Sequence, residues 1–106
     1  MSVKAIPNRA EVKGRLTELH PHPELTGYVV ATVDVAETAA VPGFANLLDW
    51  TVGQAIRVNV TDAQARALTP GLYVACKARV AGPQQVFADA DTPIRSGDRD
   101  EILSRD

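Results

Sequence analysis

One cysteine, one tryptophan, two phenylalanines and two tyrosines are spread over 106 residues. The lone Cys76 excludes an intrachain disulfide and any cluster of thiolates around a metal, which fits a reducing compartment. No apolar run approaches the roughly 18 residues needed to cross a bilayer as a helix. The opening stretch MSVKAIPNRAEVKGR also lacks the apolar segment and small-residue cleavage site of a secretory signal, so the expectation is a cytoplasmic protein with no membrane partner. No Ser-His-Asp set, paired carboxylates at strand ends or phosphate-cradling glycine loop stands out. The reading is therefore non-enzymatic, with no cofactor.

An excess of either charge is missing too. The net charge is −2, and it comes from the end of the chain. Residues 1–89 carry eight Lys and Arg against eight Asp and Glu, while the remainder, ADTPIRSGDRDEILSRD, adds three arginines and five acids. A neutral body argues against strong sequence-independent nucleic-acid binding, which rests on counterion release by surplus cations. A local basic face stays compatible with it.

What is present is alternation. EVKGRLTEL places Val12, Gly14 and Leu16 on one side of a strand and Lys13, Arg15 and Thr17 on the other, and a glycine inside such a run marks a bulge or bend. HPHPELTG reads as a loop. YVVATVDV follows as a second strand, with Val29, Ala31, Val33 and Val35 on its apolar side and Tyr28, Val30, Thr32 and Asp34 opposite. Residues 36–55 form a long connection, in which Pro42-Gly43 predicts a turn and FANLLDW a short helix with Phe44, Leu47, Leu48 and Trp50 as its apolar content. GQAIRVNV resumes alternation, with Ile56, Val58 and Val60 inward and Arg57 and Asn59 outward. Thr61 and Gln64 then have the spacing of a capping box, predicting a helix over Asp62–Leu68 that ends at Thr-Pro-Gly. LYVACKARVA points Leu72, Val74, Cys76, Ala78 and Val80 inward and Tyr73, Ala75, Lys77, Arg79 and Ala81 outward. Gly82-Pro83 turns the chain into a short fifth strand, QVFAD.

The order strand, strand, strand, helix, strand, strand resembles the oligonucleotide/oligosaccharide-binding fold, carried here by VKGRL, VGQAIRVNV and LTPGLYVACKARVAGPQQVFAD. The resemblance implies an all-β, five-stranded antiparallel Greek-key barrel over residues 10–89, with one short helix between strands three and four. Residues 1–9 precede it as an N-terminal segment. Residues 90–106 follow as a charged tail, expected to be mobile and offering only Ile94, Ile102 and Leu103 as anchors. The chain departs from the fold's pattern in its long connection between strands two and three.

Such barrels present ligands on strands two and three, where cations track phosphates and rings stack on bases. The candidates for single-stranded DNA or RNA are Lys13, Arg15, Tyr28, Thr32, Arg57 and Asn59 on the first three strands, with Lys77 and Arg79 on the closing hairpin. The plain alternative is that these are solubilising residues. Tyr73 and Phe87 either join the basic patch, pack under the tail or the long loop, or form a subunit contact. Trp50 either buries its ring to anchor the long connection or meets a partner. These three residues carry the alternative function, a protein-interaction or assembly barrel, as homodimer or subunit, with Val30 and Ala75 exposed beside them. His20 and His22 share a face of an extended segment, but Glu18 and Glu24 are the only nearby supplements, and no metal is assigned. Cys76 reads as an inert core residue.

Overall fold

A computed structural model describes residues 7–83 and 85–103; the N-terminal segment through residue 6, with Lys4, and the last three residues of the tail lie outside the described residues. Six strands carry the chain: β1 (Ala10–Pro21), β2 (Tyr28–Ala40), β3 (Ala55–Thr61), β4 (Tyr73–Gly82), β5 (Gln85–Ala88) and β6 (Arg95–Gly97). Two short helices, α1 (Asp62–Ala65) and α2 (Arg99–Leu103), complete it. Strands pair in the order β1-β2-β3-β5-β4, and β4 returns to β1, closing a five-stranded barrel consistent with the architecture that the element order implies.

The barrel is mixed rather than wholly antiparallel. β3 and β5 run parallel through Val58↔Val86 and Asn59↔Phe87. The reason is geometric: directions cannot alternate all the way round a ring with an odd number of strands, so one neighbouring pair must run the same way. That pair is also the shortest ladder in the closure.

The first two strands are longer than the sequence suggests. β1 continues through His20 and Pro21, and β2 through Ala40, because Glu37, Thr38, Ala39 and Ala40 pair with Lys13, Val12, Glu11 and Ala10. The register slips between Lys13 and Gly14, where the sequence marks a bend. A Cβ on Gly14 would lie 2.1 Å from the backbone oxygen of Asp34. Only glycine permits that approach of two backbones.

The core follows the alternation: Val12, Leu16, Ala31, Val33, Val35, Val58, Val60, Val74, Cys76 and Ala78 are all buried. Val29 and Val80 pack against this cluster only partly buried. Leu72 departs from the expectation and is 38% exposed, since β4 starts at Tyr73 and Leu72 sits in the turn at the barrel rim. Cys76 is sealed in, and desolvation, with the Glu11 carboxylate adding to it, pushes its thiol up to about 12.

Each end of the barrel receives a plug. At one end α1 opens with the expected capping box: Gln64 N donates to Thr61 Oγ1 at 3.1 Å and Thr61 N to Gln64 Oε1 at 2.9 Å. The helix lasts a single turn, and turn-type hydrogen bonds carry the backbone on to Leu68, which is buried. At the other end the segment after β2 forms one 3-10 turn, Asp49–Thr51, in place of the helix read from FANLLDW. It inserts Leu48 and Thr51, both essentially inaccessible. Trp50 does not anchor the connection by burial, because the same turn that drives Leu48 and Thr51 inward points the indole outward, 63% exposed.

The tail is ordered through Leu103, against the expectation of mobility. β1 already occupies one edge of β4 from Tyr73 to Ala78, so β6 takes the other edge beyond β5, through Tyr73↔Gly97, Val74↔Ser96 and Ala75↔Arg95. Asp98 and Glu101 then cap α2 reciprocally, at 3.1 and 2.8 Å, and Ile102 is buried. Ala75, expected exposed, is consequently buried. No helix among the described residues is long and apolar enough to cross a membrane.

Candidate nucleic-acid interface

The candidate cations do not share one face. Lys13 lies 3.8 Å from Glu11 and opposite Glu37 in the ladder, while Arg15 is exposed opposite Asp34 on β2 and Tyr73 on β4. Acids therefore flank the basic residues of β1. Lys77 is half-buried opposite Glu11 on the same side of the barrel. Thr32 is half-buried, and its carbonyl accepts from Thr17 Oγ1 at 3.2 Å. Arg57 is exposed across from Thr32.

Asn59 corrects the sequence reading most clearly, being only 8% exposed. It occupies the middle of β3 with Val30 on one side and Phe87 on the other, so neighbouring side chains close over this short residue. Its strand-face position is outward, as alternation requires, yet its accessibility is that of the interior.

A different constellation assembles around Phe87. Tyr28, at the start of β2, meets the Phe87 ring edge to face at 5.7 Å with the planes at 88°. Arg79 on β4, paired to Phe87 in the ladder, holds its guanidinium carbon 5.7 Å from the Phe87 centroid, inside cation–π range. Just before β1, Arg9 stacks 4.9 Å over Phe44 and bonds Asp89 at 3.0 Å. Tyr28, Thr61, Arg79, Phe87 and Arg9 line an open depression of about 290 Å³, and a second of about 350 Å³, lined by Phe44, Arg9 and Arg79, adjoins it.

The acids at the rim are partly spent. Besides Arg9, the Asp89 carboxylate accepts from Asp91 N at 3.0 Å and Thr92 Oγ1 at 3.2 Å. Asp91 lines the same depression and is exposed. Sequence reasoning singled out Tyr28, Arg79 and Phe87 but missed Arg9 and Phe44. Arg9 precedes the first strand and Phe44 sits in the long connection; the parallel bridge Asn8–Ala45 brings them together. Asn8 locks this junction to β4, donating to Val80 O at 3.0 Å and accepting from Val80 N at 2.7 Å.

Of the remaining candidates, Tyr73 is half-buried beside β6. His22 Nδ1 accepts from the backbone N–H groups of Glu24 and Leu25 at 3.0 and 2.9 Å, which makes it a loop cap. Among the described residues no three His, Cys, Asp or Glu side chains gather in a way that would hold a metal ion.

The class defined by these features is a closed five-stranded β-barrel with an arginine-aromatic surface spanning β2, β5 and β4. No protein-family model matches the chain, and no curated protein matches it in sequence.

Proposed function

We propose that this protein is a non-enzymatic barrel that binds single-stranded nucleic acid across the outer face of β2, β5 and β4. The observation that carries the reading is the contact set of Tyr28, Phe87 and Arg79, open to a depression that Arg9 borders. Bases stack on such rings whatever their identity, and arginines beside the rings donate to the phosphates between them. The surface shifts from β1 and β3 towards the closing hairpin because Phe87 and Arg79 of that hairpin gather with Tyr28 of β2.

The neutral body makes binding modest and dependent on stacking. Fluorescence anisotropy of a labelled single-stranded oligonucleotide, titrated at two ionic strengths, tests it. The expected result is saturable binding that weakens as salt rises, with a shallow slope because few cations take part. Absence of binding to both DNA and RNA at low salt would overturn the reading.

The assembly reading finds support on another surface, in the exposure of Trp50.

A further inference from the structure

Trp50 is the only tryptophan of the chain, and its ring stands in solvent while being firmly held. Its Nε1 donates to Leu47 O at 3.0 Å, and its own carbonyl accepts from Gln54 Nε2 at 3.2 Å. The turn beneath is locked by Thr51 Oγ1 on Leu48 O at 2.6 Å and by Asn46 Oδ1, which accepts from Leu48 N at 2.9 Å. A ring that is exposed yet preorganised loses little freedom on binding, which suits it as an anchor for a partner.

Beside the ring lies a depression of about 490 Å³, lined by Leu47, Trp50, Ile56, Val80 and Val86 among others. Arg57 supplies its cationic rim. That side chain is exposed and makes no ion pair among the described residues. The wall contributed by β3 also has an open edge. β3 pairs with β2 along its whole length, but among the described residues its ladder with β5 begins only at Val58. Among the described residues Ala55, Ile56 and Arg57 have no strand partner on that edge, and all three line the pocket.

We infer that this pocket docks an extended segment of a partner protein, with a large apolar side chain seated between Trp50 and Val86 and a carboxylate one or two residues away paired to Arg57. Three features select that occupant. An open edge takes an extended chain by main-chain hydrogen bonds. The pocket volume fits a single bulky apolar side chain with room at its mouth. The unpaired guanidinium calls for an anion, and a carboxylate matches its geometry. The inference is independent of the nucleic-acid reading, which rests on a different surface.

Selection of phage-displayed random short peptides against the intact chain tests it. The expected outcome is enrichment of a large apolar residue next to or one removed from Asp or Glu. Titration of a synthetic peptide of that consensus then shifts the emission of Trp50 to shorter wavelength. By anisotropy of the dye-labelled peptide, Arg57→Glu and Trp50→Ala each weaken binding about tenfold or more, and Arg57→Glu selects basic in place of acidic residues when the selection is repeated. Both side chains are exposed, so the variants fold, as melting curves verify; should Arg57→Glu lower the melt, Arg57→Gln serves in its place. No consensus, or a consensus peptide bound equally by the Arg57 variant, overturns the proposal. So does a Trp50 emission shift produced by raising the protein concentration alone, which assigns the pocket to a second copy, or by the oligonucleotide alone, which assigns it to nucleic acid.

Discussion

Tyr28 and Phe87 touch although a whole strand separates their backbones. Tyr28 belongs to β2 and Phe87 to β5, with β3 between them, and their rings meet at 5.7 Å across it. The contact joins the parallel seam of the barrel to the antiparallel sheet beside it. It also gives the outer surface an edge-to-face aromatic step, with Arg79 over the Phe87 ring.

That step sets the first expected outcome. Tyr28→Ala and Phe87→Ala each lower affinity for a single-stranded oligonucleotide by about 1 to 3 kcal/mol through lost stacking. Arg79→Ala instead flattens the dependence of affinity on salt. Anisotropy titrations at two ionic strengths separate the two effects, and equal salt slopes for wild type and Arg79→Ala would count against phosphate contact by Arg79.

Core position decides the second. Leu16 is completely buried, whereas Leu72 is 38% exposed. Leu16→Ala is expected to cost about 2 to 5 kcal/mol, and Leu72→Ala well under half of that. Denaturant unfolding of the two variants checks the order.

At Gly14 the argument is steric. An added Cβ meets the backbone of Asp34 at 2.1 Å, and backbone cannot rotate away as a side chain can. Gly14→Ala is expected to destabilise by about 3 kcal/mol or more, read as a lowered melting temperature. A variant melting with the wild type would show that the bulge relaxes freely.

Cys76 predicts an alkaline weakness. Its thiol is raised from 9.0 to about 12 in the fold, so the unfolded chain loses this proton first as pH rises. The contribution to stability is full below about pH 9 and is lost as the pH climbs towards 12. Comparing wild type with Cys76→Ala by urea unfolding at neutral and alkaline pH isolates it: the wild type loses more stability, and parallel losses would refute the assignment.

The last expected outcome concerns the C-terminal segment. Ile102 is 3% exposed and pins α2 over β1 and β4. Ile102→Ala should cost on the order of 2 kcal/mol and speed amide exchange in β6 ahead of the barrel strands. Exchange in β6 unchanged by the substitution would show that strand pairing alone holds the tail.

By itself the sequence determined the five barrel strands, their inward and outward faces, the capped turn at Thr61 and the glycine bend in β1, because each depends on residues a few positions apart. Period-two alternation sets which side of a strand is apolar, and a capping box closes within three residues. Only the tertiary structure decided which outward residues meet and which stay accessible. Asn59 obeys the alternation yet is covered by its neighbours; Trp50 sits in an apolar run yet is turned out; Phe87, with Arg79 over its ring, meets Tyr28 across an intervening strand. The tail looked too polar to order, and it is ordered because β4 had an edge free beyond β5, a vacancy that exists only once the barrel has closed. The parallel β3–β5 pair has the same origin, since direction along a strand is invisible to a pattern of apolar residues and an odd ring of strands leaves one pair no alternative.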